Sequence, residues 1–211
     1  MTPTVLPLIN GDAHDFRVVN DFARDTAWLH GFMEFMAKDG VFLLGLALLA
    51  GWWLGRRSDS PRRVVLAVWS ALAAVVAVGL VQPIASAADE QRPFVALPHV
   101  LRLIPHAPDT GFPSDHATAA GAVAAGLFFV SWRLGLGTAV AAALIAFSRV
   151  YVGVHFPQDV AAGLGLGVVV ALLGVWLVVP LLTRLAQWLT GTPLRPLIVA
   201  TAPAAPHDVG S

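Results

Sequence analysis

Residues 40–85 read GVFLLGLALLAGWWLGRRSDSPRRVVLAVWSALAAVVAVGLVQPIA. Two apolar runs, Gly40–Gly55 and Val64–Ala85, are joined by a hairpin that carries Arg56, Arg57, Arg62 and Arg63. A helix needs about 20 predominantly apolar residues to cross the hydrocarbon core. The second run is long enough by itself, and the first recruits a turn of the segment before it. Basic residues in short loops favour the cytoplasmic side. The segment therefore reads as a transmembrane hairpin with its turn in the cytoplasm.

Working outward, a polar loop from Ser86 to Phe112 follows, then three further apolar stretches: Ser114–Trp132, Gly135–Val152 and Gln158–Leu182. The composition agrees, with 57% hydrophobic and 12% charged residues, where a soluble domain carries roughly 45–50% and about 25%. Thirteen basic and thirteen acidic side chains leave no net charge, so no nucleic-acid footprint is visible. The absence of cysteine excludes disulfides, thiolate zinc sites and cysteine nucleophiles. The predicted fold is all-α, a polytopic transmembrane helix bundle of five spans within residues 39–190. Alternation of the spans puts the arginine hairpin, Arg133 and Arg184 on one side. The 86–112 loop and the turn Gly153–Pro157 then lie on the other, extracytoplasmic side, with Arg92, Arg102 and Lys38.

The ends are of different character. Met1–Leu8 lacks the basic start and long apolar core of a signal peptide. Phe16–Lys38 mixes Phe22, Trp28, Phe32 and Phe35 with Asp21, Arg24, Asp25 and Glu34. Residues 1–38 are thus expected as an amphipathic segment, either lying in the interface or packed as an ordinary helix against the bundle. The Pro/Ala-rich tail, residues 191–211, is expected to be disordered. Small residues in the later spans, among them Gly121, Gly163 and Gly167, suit close helix packing, within the chain or in a homodimer.

Ionisable residues at span ends are costly and line cavities or pathways. Three clusters meet on the outer side: Arg92-Pro93; Pro113-Ser114-Asp115-His116, opening the third span; and Ser148-Arg149 with His155 and Asp159, around the turn into the fifth. The second cluster by itself is also a good helix start, since Ser and Asp satisfy free N–H groups there. In the third, Asp159 lies four residues after His155. It is placed to accept a hydrogen bond from one ring nitrogen and leave the other as a nucleophile. An Arg149–Asp159 ion pair would account for two of those residues and leave His155 idle. Guanidinium forks match phosphate oxygens, and a helix N-terminus binds anions. Together the clusters suit phosphoryl transfer without a metal or other cofactor, since no carboxylate cluster suggests magnesium and no GxxxxGKS/T loop suggests a nucleotide.

These clusters resemble the signature of the type 2 phosphatidic acid phosphatase (PAP2) superfamily: KxxxxxxRP, PSGH and SRxxxxxHxxxD. The third motif, Ser148 to Asp159, matches at every fixed position. The second has Asp115 for Gly, and Phe-Pro-Ser-Asp-His-Ala resembles the bacterial undecaprenyl pyrophosphate phosphatase branch. The first departs: Arg92-Pro93 is present, but Ala85 stands where the family has lysine, and Lys38 is the only lysine in the chain. Arg102 is a candidate replacement, Glu90 and Gln91 are candidate marks of a subgroup, and an inactive relative is the third reading. The resemblance implies that His155 is the nucleophile, oriented by Asp159. His116 is then the acid and base, with Arg92, Arg149, Ser114 and Ser148 around the phosphate and Asp115 of open role. It also implies a multi-pass protein of the bacterial plasma membrane, acting on a lipid phosphate: undecaprenyl pyrophosphate first, with phosphatidic acid, phosphatidylglycerol phosphate and other prenyl phosphates as alternatives. A lipid transporter or scramblase binding headgroups, and a structural protein, are the competing classes.

Overall fold

A computed structural model describes residues 7–200. Its helices are α1 (Pro7–Asp25), α2 (His30–Asp39), α3 (Val41–Arg57), α4 (Pro61–Ala88), α5 (Pro93–Ala96), α6 (Asp115–Phe128), α7 (Trp132–Tyr151), α8 (Pro157–Leu177) and α9 (Val179–Leu189). Five of them, α3, α4, α6, α7 and α8, are the apolar runs read from the sequence. They alternate in direction, so the turns at 58–60 and 129–131 share one end of the bundle. The 89–114 loop and the 152–156 turn share the other. Among the described residues, α4, α7 and α8 are long and apolar enough to cross a membrane by length and composition alone. With 17 and 14 residues, α3 and α6 are shorter; at about 1.5 Å per residue, α6 reaches only about 21 Å. The protein is a multi-pass membrane protein whose lipid-facing surface exposes Phe42, Leu46, Val75, Val140, Leu173 and Trp176.

Two stretches differ from expectation. The fifth span was expected to run to Leu182, but α8 ends at Leu177 and α9 begins at Val179. Pro180 is the cause: it has no N–H to donate and its ring crowds the carbonyl four residues back. Helix α9 then folds against α4 and α8, burying Val179 and Ala186 while Leu181, Leu185 and Trp188 stay exposed. Residues 191–200 are also ordered rather than tail. They form a short 3-10 helix at Arg195–Leu197, bury Ile198 and Val199, and accept the Trp52 indole N–H at the Leu197 carbonyl. Residues 201–211 of the expected tail lie outside the described residues.

Helix α6 sits at the centre, packed on α4, α7 and α8. Its approach to α8 is set by missing side chains. A Cβ at Gly167 would stand 2.1 Å from the Thr118 carbonyl oxygen, one at Gly163 2.6 Å from that of Ser114, and one at Gly121 2.4 Å from that of Leu164. These small residues therefore pack helices within the chain. The contact brings the start of α6 beside the start of α8, where the Ser114 N–H donates to the Asp159 carbonyl at 3.1 Å.

The N-terminal segment docks on the same end of the bundle. Helix α1 buries Phe16, Asn20 and Ala23, the i, i+4, i+7 stripe of an amphipathic helix. The Phe16 ring meets Phe156 edge-on at 5.5 Å. The Asn20 amide bonds both backbone groups of Leu101, and the Asp12 carboxylate caps α8 by accepting the Gln158 N–H at 3.0 Å. The opposite face exposes Val18 and Phe22, with Trp28 and Phe32 beyond, so the segment both packs on the bundle and presents an apolar face outward.

Candidate active site

The turn between α7 and α8 is built to present one imidazole. Arg149 closes α7, and Gly153 follows at φ +83°, the left-handed region where a side chain would strain the backbone. A Cβ there would also meet the Leu101 carbonyl oxygen at 2.3 Å. Pro157 opens α8 with the backbone angle a first helical residue needs. Two turns of constraint thus fix His155 between them. The buried Asp159 carboxylate accepts the Phe156 N–H at 2.8 Å and the His155 Nδ1–H at 3.2 Å. An acceptor at Nδ1 requires the proton there, which leaves the Nε2 lone pair for chemistry. Nε2 stands 3.1 Å from Arg92 Nη1.

Arg92 is held on every side. Nε donates to Asp109 Oδ1 at 2.6 Å, Nη1 to the Val154 carbonyl at 3.1 Å, and Nη2 to the Thr110 carbonyl at 3.2 Å. The Gln91–Thr110 bridge and a Gly111 N–H to Glu90 carbonyl bond at 2.9 Å fix the loop that supplies those acceptors. Arg149 is buried and donates from Nη1 to the Ala37 carbonyl of α2 at 2.8 Å. Among the described residues its Nε has no partner, and the same is true of Ser114 Oγ and Asp159 Oδ1. Buried polar atoms are rarely left so, and these three lie where α7 ends and α6 and α8 begin.

Arg92, Arg149, His155, His116 and Asp115 line a cavity of about 140 Å³ at that end. Ser114 stands behind it at the start of α6. Two expected residues are elsewhere. Ser148 Oγ donates to the Ile145 carbonyl of its own helix at 2.7 Å. The Arg102 side chain is exposed and lies over the Phe94 ring, 4.7 Å from its centroid, so it does not replace the family lysine. The cavity adds residues that sequence reasoning passed over, His106, Asp109, Thr110 and Gln82, and Ala85 lines it as well. His106 and Asp109 belong to a run of polar residues in the outer loop, but no motif marked them.

Electrostatics favours an unprotonated imidazole. Burial holds the His155 titration well below its ordinary range, and the Arg149 and Arg92 charges push the same way. Burial, then Arg92, also lowers His106. Partial burial alone would raise Asp109, but its hydrogen bond to Arg92 and that residue's charge hold it below the ordinary carboxylate range.

The fold and the motif spacing together define a membrane phosphatase architecture: a helical bundle with histidines and arginines gathered at one end. The chain belongs to the PAP2 superfamily, whose family model matches residues 64–182. It is 36% identical over 168 residues to the bacitracin transport permease protein BcrC of Bacillus licheniformis, covering 80% of each chain. It is 32% identical over 159 residues to the undecaprenyl-diphosphatase BcrC of Bacillus subtilis (strain 168), covering 75% of this chain and 79% of that one. Among solved structures it shares the fold of the first transmembrane PAP2 type phosphatidylglycerolphosphate phosphatase from Bacillus subtilis. The TM-score is 0.62 at 23% identity, over 81% of this chain and 85% of the other.

Proposed function

We propose that the protein hydrolyses undecaprenyl pyrophosphate to undecaprenyl phosphate and inorganic phosphate, on the extracytoplasmic side of a bacterial plasma membrane. The observation that carries the chemistry is the His155 ring, held by Asp159 at Nδ1 with Nε2 beside Arg92. The Bacillus subtilis relative supports the substrate through its name, and the arginine hairpin at the opposite end of the bundle supports the orientation.

In this reading the Nε2 lone pair attacks the terminal phosphorus. The bond from phosphorus to the bridging oxygen breaks, and His116 gives its proton to that oxygen as undecaprenyl phosphate leaves. Neutral His116 then takes a proton from water, the water oxygen attacks phosphorus, and the P–N bond electrons return to Nε2. Arg92, Arg149, the unspent Ser114 hydroxyl and the free amides at the start of α6 hold the phosphoryl oxygens as charge develops. Asp159 stabilises the imidazolium character that appears on His155. A transport role would need polar groups along the bundle. The histidines and arginines of the cavity instead gather at one end, and the α6–α8 contact below them is glycine, alanine, leucine and Thr118, with no charged group.

The test is phosphate release by detergent-purified protein, in EDTA, from undecaprenyl pyrophosphate and phosphatidic acid in parallel. Release from the pyrophosphate is expected to dominate and to vanish in His155→Ala, with an unchanged gel-filtration profile. A monodisperse wild type that releases phosphate from neither lipid would overturn the proposal. Preference for phosphatidic acid would overturn the substrate alone.

A further inference from the structure

Ala85 occupies the position where the family signature has a lysine, and it lines the catalytic cavity. The cavity is therefore short of one cation at a known place. Arg102 does not supply it, since its side chain is outside the cavity on the Phe94 ring. One further side chain able to carry positive charge does line the cavity, from the loop after α5: His106. We propose that His106, as an imidazolium, makes the phosphate contact that Ala85 cannot, and so acts as a substrate-binding residue for the phosphate headgroup. This rests on the phosphatase reading above.

The geometry is specific. His106 Nδ1–H donates to the Ala107 carbonyl at 3.2 Å and stands 3.7 Å from Asp109 Oδ1. With the proton held at Nδ1, Nε2 is the atom that a phosphate oxygen would meet, through a second proton. The ring sits edge-on to His155, centroids 6.4 Å apart, so one ligand can touch both. Asp109 bonds Arg92 Nε at 2.6 Å, which ties the His106 loop to the arginine beside the nucleophile. Side chains facing the ring across the cavity are Arg92, Arg149, His116 and His155, against the carboxylates of Asp109 and Asp115.

The charge balance gives the contact its character. Without ligand, burial and the arginine charges lower the His106 titration below its ordinary range, against the Ala107 carbonyl and Asp109, which raise it. A pyrophosphate brings several negative charges into the same space and reverses the local field, so the ring takes up a proton as the headgroup enters. A lysine at residue 85 would be charged at every physiological pH. A histidine makes affinity, rather than chemistry, rise as pH falls. The sign is set by His106 itself: its bound form carries the proton, so the apparent KM is low below its bound-state titration and increases above it.

The experiment has two arms. In turnover, kcat and KM for undecaprenyl pyrophosphate are measured from pH 5.5 to 8.5 for wild type, His106→Ala, His106→Gln and the double variant His106→Ala with Ala85→Lys. A charge-assisted hydrogen bond corresponds to roughly a tenfold to hundredfold effect on binding. KM near pH 6 is expected to rise by about that factor in both single variants, with kcat held within about twofold. The slope of KM with pH should be lost, and Ala85→Lys should restore a low KM that is flat with pH. In the binding arm, calorimetric titration with inorganic pyrophosphate compares His155→Ala with the His155→Ala, His106→Ala double variant, where the same weakening is expected. An unchanged KM and pH profile in folded His106→Gln, or a KM defect that Ala85→Lys leaves uncorrected, would overturn the proposal. If wild type turns over no lipid pyrophosphate while pyrophosphate binding still depends on His106, the phosphatase reading fails and the binding assignment stands.

Discussion

Two concavities of this molecule differ in size and in chemistry, in opposite senses. The groove between α3 and α4, about 650 Å³, is lined by Phe42, Leu46, Leu49, Trp52, Val68 and their neighbours. The cavity beside the α7–α8 turn is about 140 Å³ and is walled by Arg92, His106, His116, Arg149 and His155. In a soluble protein the larger apolar pocket would be the first place to look for a ligand. Inside a bilayer that logic inverts, because an apolar groove facing lipid is filled by acyl chains without any directional group to choose among them. What marks the smaller cavity is unspent hydrogen-bonding capacity: Ser114 Oγ, Arg149 Nε and Asp159 Oδ1 are buried without partners among the described residues. Volume measures contact with lipid here, and a wall of histidines and arginines measures chemistry.

That contrast can be broken or sharpened by substitution, and the largest effect should fall on the nucleophile and its support. His155→Ala is expected to lower kcat by about 10⁴-fold or more, as for other nucleophile deletions. Asp159→Asn, which keeps shape but disturbs the tautomer, should cost about 10²–10⁴-fold, with the gel-filtration profile unchanged as the check on folding. Arg149→Lys keeps the charge and loses the fork, so its mark should be a KM raised about tenfold or more rather than a lower kcat. The pH profile is a further test. Because burial and the two arginines hold His155 neutral, the acid limb of kcat/KM should lie below the ordinary histidine value of about 6.5. An acid limb at or above that value would contradict the electrostatics of the turn.

Smaller effects are expected away from the cavity. Gly167→Val drives a side chain into the Thr118 carbonyl and should cost about 1–3 kcal/mol of stability, read as a lower Tm, with activity lost only through unfolding. Arg102→Ala removes an exposed cation–π contact and should leave activity within about twofold, since such contacts are worth about 0.5–1 kcal/mol. Ala71→Leu, which fills the apolar groove, should be the quietest change of all. A large loss of turnover there would show that the groove seats the lipid tail, and the contrast between the two concavities would fail.

Much of this was legible along the chain, for identifiable reasons. Apolar runs report spans because backbone and side chains have one way to satisfy themselves in hydrocarbon. The spacing from Ser148 to Asp159 is legible because the His155–Asp159 contact is four residues long and nearly independent of the rest of the fold. Pro180 was also readable as a helix breaker, and the length of the surrounding apolar run hid it. Ser148 differs for a local reason: in an apolar helix its hydroxyl proton is donated to the carbonyl three residues back, a contact the motif spacing does not record.

The sequence by itself determined the membrane bundle and the histidine–aspartate pair, each being a matter of composition or short spacing. Only the tertiary structure decided which loop residues share the cavity. The Arg92–Asp109 pair spans 17 residues, and the bond from Arg149 to the Ala37 carbonyl spans 112. No periodicity records either. The first exists because the 89–114 loop folds back on itself, and the second because α2 packs against α7. The physical reason is that charge placement at a site is a sum over distances in space, and a chain states distances only along itself.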